Sequence, residues 1–182
     1  MRRSLSSLRL VSVISIVVAA AACADSATAP NRHHTSPQQL AQSDSDSSEQ
    51  LLVCPTDTLR SARGTIGLLG GVIAAGGSSI TIPAGAVVQP TAFEVEVPAS
   101  RYMEVEIHAV GQEHYHFLAP VLITIDYSRC PSDAIPPGAL LAGVHIDSDS
   151  KSVLDIMGGV NDSLHKQLTF STGHLSGYAV AY

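Results

Sequence analysis

Beyond Gln50 the chain breaks into short apolar runs punctuated by Gly, Pro, Asp-Ser and Asn-Asp. Apolar side chains recur at every second position, the spacing of strands that bury one face. The pattern is clearest over 93–97 and 103–110, where Phe93, Val95, Val97, Met103, Val105 and Ile107 interleave with Glu94, Glu96, Glu104 and Glu106. These carboxylates read as the solvated outer face of two strands. Residues 120–127 repeat the alternation with Val121, Ile123, Ile125 and Tyr127 on one side. Further strands are predicted over 65–69 and 72–74 around Gly70-Gly71, over 79–82 after Gly76-Gly77, and over 140–147, 153–157, 167–171 and 177–182. Both glycine pairs read as hairpin turns, since neither is followed by the Lys-Ser/Thr or helix of a phosphate-binding loop. No part of this region sustains a helical period. Some nine short strands at regular spacing predict an all-β domain over 51–182, a β-sandwich of mainly antiparallel strands or a closed-up barrel.

The residues ahead of this region follow other rules. Arg2, Arg3 and Arg9 precede an uncharged apolar run from Leu10 to Ala22, the layout of a secretory signal peptide over 1–22. The run falls short of the roughly 20 apolar residues that span a bilayer. Residues 24–50 are mostly Ser, Asp, Gln, Thr and Pro, too polar to bury a core, and predict a disordered tether of about 30 Å root-mean-square span. His33-His34 within it read as a solvated pair.

Composition narrows the function classes. Hydrophobic residues at 45% against 14% charged exclude disorder throughout the 182 residues, and the absence of Trp with 24 Gly and Pro favours strands and turns. Net charge is −6, and losing residues 1–22 leaves seven basic side chains against sixteen acidic ones, or −9. No clustered basic surface exists to displace counterions from nucleic acid, and no basic face to hold anionic lipid. No cofactor is expected.

Cys54 and Cys130, each followed by Pro, are predicted in loops. In an oxidising compartment they would pair, and closing so long a loop would add about 4 kcal/mol on the chain-entropy account. Two buried free thiols are the other reading. Glu113-His114-Tyr115-His116 places His114 and His116 on one face of an extended segment, two weak candidate metal ligands without a third.

Two resemblances carry the reading further. Ala20-Ala21-Ala22-Cys23 resembles the lipobox of bacterial lipoproteins, which implies lipidation of Cys23 and a membrane-anchored place in the cell envelope. Ala22-Cys23-Ala24 also suits ordinary signal cleavage. Gly70-Gly71-Val72-Ile73, followed by Ser79-Ile80-Thr81-Ile82-Pro83-Ala84-Gly85-Ala86-Val87, resembles the opening of a ZU-five domain, a module of ankyrins, netrin receptors and zonula occludens proteins. Phe117 with Pro120-Val121, and His174-Leu175-Ser176-Gly177-Tyr178-Ala179-Val180, are similar to that family's central and closing strands. The resemblance covers about residues 64–182 and implies a β-sandwich that serves as a protein-interaction or structural module toward an unidentified protein partner.

The closing motif also resembles the His-Phe/Ser, His-Leu/Ser and His-Leu/Thr cleavage sites of function-to-find domains and of autoproteolysis-inducing domains in adhesion receptors. That likeness implies a different function: a self-cleaving domain. Ser176 would attack the Leu175 carbonyl while His174 accepts the hydroxyl proton, and the last strand would stay bound after the cut. On the plainer reading His174 and Ser176 share one face of a final strand, with Leu175 in the core.

Overall fold

The computed structural model describes residues 50–112 and 114–182. The signal peptide, Cys23, the tether with His33-His34, and Glu113 lie outside the described residues. Among the described residues no helix is long and apolar enough to cross a membrane.

Among the described residues eleven strands form two antiparallel sheets packed face to face, the β-sandwich expected from the alternation. In chain order they are β1 (Arg60–Ile66), β2 (Gly71–Ala75), β3 (Ser78–Ile82), β4 (Thr91–Val97), β5 (Glu104–Ala109), β6 (His116–Asp126), β7 (Ala142–Ile146), β8 (Val153–Gly158), β9 (Val160–Asp162), β10 (Gln167–His174) and β11 (Gly177–Ala181). One sheet runs β1-β4-β5-β11-β7-β8 and the other β2-β3-β6-β10-β9. The core lies between them. Phe93, Val95, Val105, Ile107, Tyr178 and Val180 from the first sheet meet Ile80, Val121, Ile123, Ile125, Leu168 and Phe170 from the second, all essentially sealed from solvent. Phe93, Tyr115 and Phe117 add an aromatic cluster with ring centroids 5.1 to 5.6 Å apart.

The two glycine pairs part company. Gly76 and Gly77, at φ 57° and 87°, join β2 to β3 as a two-residue hairpin, the conformation that glycine alone adopts freely at both positions. Gly70-Gly71 closes no hairpin between its flanking strands, because β1 pairs with β4 and β2 with β3. It carries the chain from one sheet to the other. Gly70 sits at φ 71°, where a Cβ would meet the Ile82 carbonyl oxygen at 2.3 Å, so the crossing is as tight as the backbone permits.

A second, smaller apolar cluster covers the outside of the six-stranded sheet. Val144, Ile146, Ala179 and Ala181 are buried there with Leu51 and Val153 packed over them. Residues 50–54 reach that position by pairing with the end of β11: Leu51 bridges Ala181, and the Leu52 amide donates to the Val180 carbonyl at 2.8 Å. Cys54 and Cys130 are bonded, with Cα atoms 4.9 Å apart, so this segment is tied to the turn after β6. Over the same outer face, Glu104 departs from its expected solvated setting. The β7–β8 loop folds across it, its side chain is wholly buried, and Lys151 Nζ donates to Oε2 at 2.7 Å.

The bridge closes a separation of 76 residues, so the paired substitution Cys54→Ser with Cys130→Ser should lower unfolding free energy by about 4 kcal/mol on the chain-entropy account. Urea titrations of the oxidised protein and the double variant read this directly. Equal midpoints would mean the crosslink does not constrain the unfolded chain.

Candidate functional site

His174, Leu175 and Ser176 do not share a final strand. His174 is the last residue of β10 in the five-stranded sheet, β11 begins at Gly177 in the six-stranded sheet, and Leu175 and Ser176 alone cover the distance. Facing sheets lie about 10 Å apart, so two residues must turn sharply to cross. The crossing starts from a register slip between Thr172 and His174 against β6, which brings His174 opposite His116.

The carbonyls on either side of the Leu175–Ser176 peptide are each held. The Tyr178 hydroxyl donates to the His174 carbonyl at 2.7 Å, and the Ile107 amide donates to the Ser176 carbonyl at 3.1 Å. Tyr178 is fully enclosed and its hydroxyl also lies 3.0 Å from Thr172 Oγ1. Burial pushes its pKa up to about 12, so it remains a donor throughout the physiological range.

Ser176 Oγ is 2.7 Å from a histidine, but that histidine is His145 through Nε2, not His174. Among the described residues no hydrogen bond joins His174 to Ser176. The His174 ring instead stands edge-on to His145, centroids 5.0 Å apart, with Nδ1 3.3 Å from Thr172 Oγ1. His145 is delivered by β7, directly across from Tyr178 on β11 and Asp155 on β8. Burial holds its imidazole below the ordinary histidine range; His174 pushes the same way and Asp155 partly offsets both. A neutral ring with its proton on Nδ1 leaves Nε2 free to accept the Ser176 hydroxyl proton. A serine hydroxyl and an imidazole able to take its proton are therefore in hydrogen-bond reach.

Ser176, though not His145, lines a cavity of about 290 Å³. Ile107, Leu175, Glu106, Tyr115 and Ser148 are among its other lining residues. His114 lines it as well, while His116 opens β6 with an exposed side chain. Among the described residues no three His, Cys, Asp or Glu side chains converge as a metal site would require. Glu94 is occupied elsewhere: Arg63 bonds it, His108 lies 3.4 Å away, and the Arg63 hydrogen bond holds its carboxyl below the usual range.

His145 went unnoticed in the sequence. The available signal was a lone imidazole at a core-facing position of an otherwise apolar strand, Gly143-Val144-His145-Ile146. A scan against family models and a search of curated proteins found no match to this chain.

Two outcomes follow from this geometry. Tyr178→Phe removes the donor to the His174 carbonyl and should cost about 1–2 kcal/mol of stability in urea unfolding. A folded pKa below the unfolded value near 6.5 means that the unfolded chain takes up the His145 proton first. His145 thus contributes stability that is present above about pH 6.5 and lost as pH falls toward and through its lower folded pKa. Denaturation midpoints measured from pH 7.5 to 5 should fall more steeply for the wild type than for His145→Gln.

Proposed function

We propose that this domain cuts its own chain between Leu175 and Ser176, with Ser176 as nucleophile and His145 as general base. The observation that carries the reading is the 2.7 Å contact between Ser176 Oγ and His145 Nε2 at a two-residue sheet crossing. Ser176 Oγ attacks the carbonyl carbon of Leu175 and passes its proton to His145. The carbon–nitrogen bond then breaks, the proton moves to the Ser176 nitrogen, and an ester joins Leu175 to Ser176 Oγ. Water hydrolyses the ester, leaving a Leu175 carboxylate and a free Ser176 amine and hydroxyl. The two held carbonyls, of His174 and Ser176, restrict how the intervening peptide can rotate and favour a fixed approach of Oγ to carbon. His174 then acts on the electrostatics of His145 rather than on the proton itself.

The resemblance of His174-Leu175-Ser176 to known self-cleavage sites supports this reading, whereas the likeness to ZU-five modules supports the second reading given below. The leader and the lipobox-like Ala20–Cys23 support an exported, lipid-anchored setting, in which the domain stands off a membrane surface. A second reading, an interaction platform, draws on the outer face of the five-stranded sheet. Across it Val72, Thr81, Leu122 and Ser171 stand in register, with Val72 and Leu122 exposed and no charged residue in the row.

Intact-mass spectrometry of the mature protein, denatured without reduction, separates these. Self-cleavage yields a chain ending at Leu175 and a 176–182 peptide. Ser176→Ala should abolish the cut, and His145→Gln should slow it by about 10²- to 10⁴-fold while His174→Ala retains most of it. The cleavage rate should fall only below the ordinary histidine range, because the base is neutral above its lowered pKa. An uncut wild-type chain would overturn the proposal and leave the platform reading.

A further inference from the structure

Once cut, Ser176 would carry a free α-amine next to its hydroxyl, just ahead of a central strand and in the lining of a cavity. We propose that the processed domain is an acyl-transfer hydrolase of the N-terminal-nucleophile type, acting on small neutral or cationic esters or amides; the proposal rests on the self-cleavage reading. Three observations converge on it. Ser176 stays held after the cut, by Ile107 through its own carbonyl and by β11, which pairs with β5 and β7. Its hydroxyl has a base at 2.7 Å that self-cleavage does not consume. The adjoining cavity of about 290 Å³ is at the small end of ligand sites, of a size for an amino-acid-like acyl group.

The lining sets the substrate charge. Glu106 contributes a carboxylate, Ser148, Gln112 and Tyr115 contribute neutral polar groups, His108 and His114 contribute imidazoles, and neither Lys nor Arg is among the described lining residues. Lys151 Nζ approaches Glu106 only to 3.8 Å and donates to Glu104 at 2.7 Å, so its charge is directed at a buried carboxylate. An anionic acyl group would meet Glu106 with no Lys or Arg to offset it and with His108 turned toward Glu94 at 3.4 Å, whereas a neutral or cationic one would meet no like charge at Glu106.

The reaction repeats the chemistry of the cut on an outside carbonyl. Ser176 Oγ attacks the substrate carbonyl carbon, and its proton passes to His145 Nε2 and then to the leaving alcohol or amine. The resulting acyl ester on Ser176 is hydrolysed by a water whose proton travels through the same imidazole, releasing a carboxylic acid and restoring the serine. The α-amine, with an ordinary pKa near 8, stands beside Oγ as a second proton acceptor.

The test uses the mature wild-type protein with a fluorophosphonate probe, followed by intact-mass analysis of both fragments. The expected result is a 176–182 peptide carrying one phosphonyl group, and hydrolysis of p-nitrophenyl acetate at least about tenfold faster than by Ser176→Ala. An anionic p-nitrophenyl hemisuccinate should turn over more slowly than the acetate. A cut chain with an unlabelled peptide overturns this inference and leaves self-cleavage standing. An uncut, unlabelled chain overturns both, and an uncut chain labelled at Ser176 overturns the requirement for a free amine.

Discussion

The structure depends on one strand being buried on both faces. All five residues of β11 are enclosed. Tyr178 and Val180 point into the sandwich, while Ala179 and Ala181 point outward into the cluster roofed by Leu51 and Val153. A strand in the middle of a sheet has both backbone edges paired, so β5 and β7 fix its register as well as its position. Everything at the candidate site inherits that register. Gly177 against Glu106 and Ile146, and Tyr178 against His145, decide where Ser176 ends and what it touches.

Packing over the outer face reinforces the same point. A Cβ at residue 177 would lie 2.6 Å from Ser148 Oγ, so glycine there lets the β7–β8 loop settle directly on the start of β11. That loop is shaped by Asp147, whose carboxylate accepts the Ser150 amide at 2.7 Å and the Asp149 amide at 3.1 Å. Lys151 follows at φ 58°, an unfavourable conformation for a residue with a side chain. It reaches Glu104 in return. A buried carboxylate without its cation would be strongly destabilising, so this ion pair fixes the loop more than it stabilises the fold. Loop, strand and crossing form one packed unit beside the cavity.

Much of this was legible from alternation alone. The central strands declared themselves because their inward positions are large and apolar, as in Phe93-Val95-Val97 and Val121-Ile123-Ile125. The alternation places the first strand five residues late because its inward positions are Ala62 and Gly64, and a small residue leaves no mark on a hydrophobic pattern. Gly64 is small for a reason: Ile73 of the facing sheet packs within 3.0 Å of where its Cβ would be. β9 escaped because its three residues are all exposed and Asn161-Asp162 resemble a turn. The switch of sheets at Gly70-Gly71 was hidden because a glycine pair permits a hairpin and a crossover equally. The disulfide was readable from two loop cysteines and an export-like leader. The site was half readable: a short motif names Ser176, but its histidine neighbour is brought from 31 residues away by strand pairing, which local spacing cannot report.

The same topology governs what a cut at the crossing would leave behind. The 176–182 segment pairs on both edges and covers core on both faces, so it has no exposed side from which to peel. Release requires β5 and β7 to part, which opens the six-stranded sheet at its centre and exposes Val105, Ile107, Val144 and Ile146 together. That event amounts to unfolding the domain, so the escape rate of the peptide is bounded by the global unfolding rate rather than by the affinity of seven residues. A chain severed at an edge strand would shed its fragment. Severed at this crossing, it would keep the nucleophile, the imidazole and the cavity in register, because none of the contacts that align them runs through the broken peptide bond.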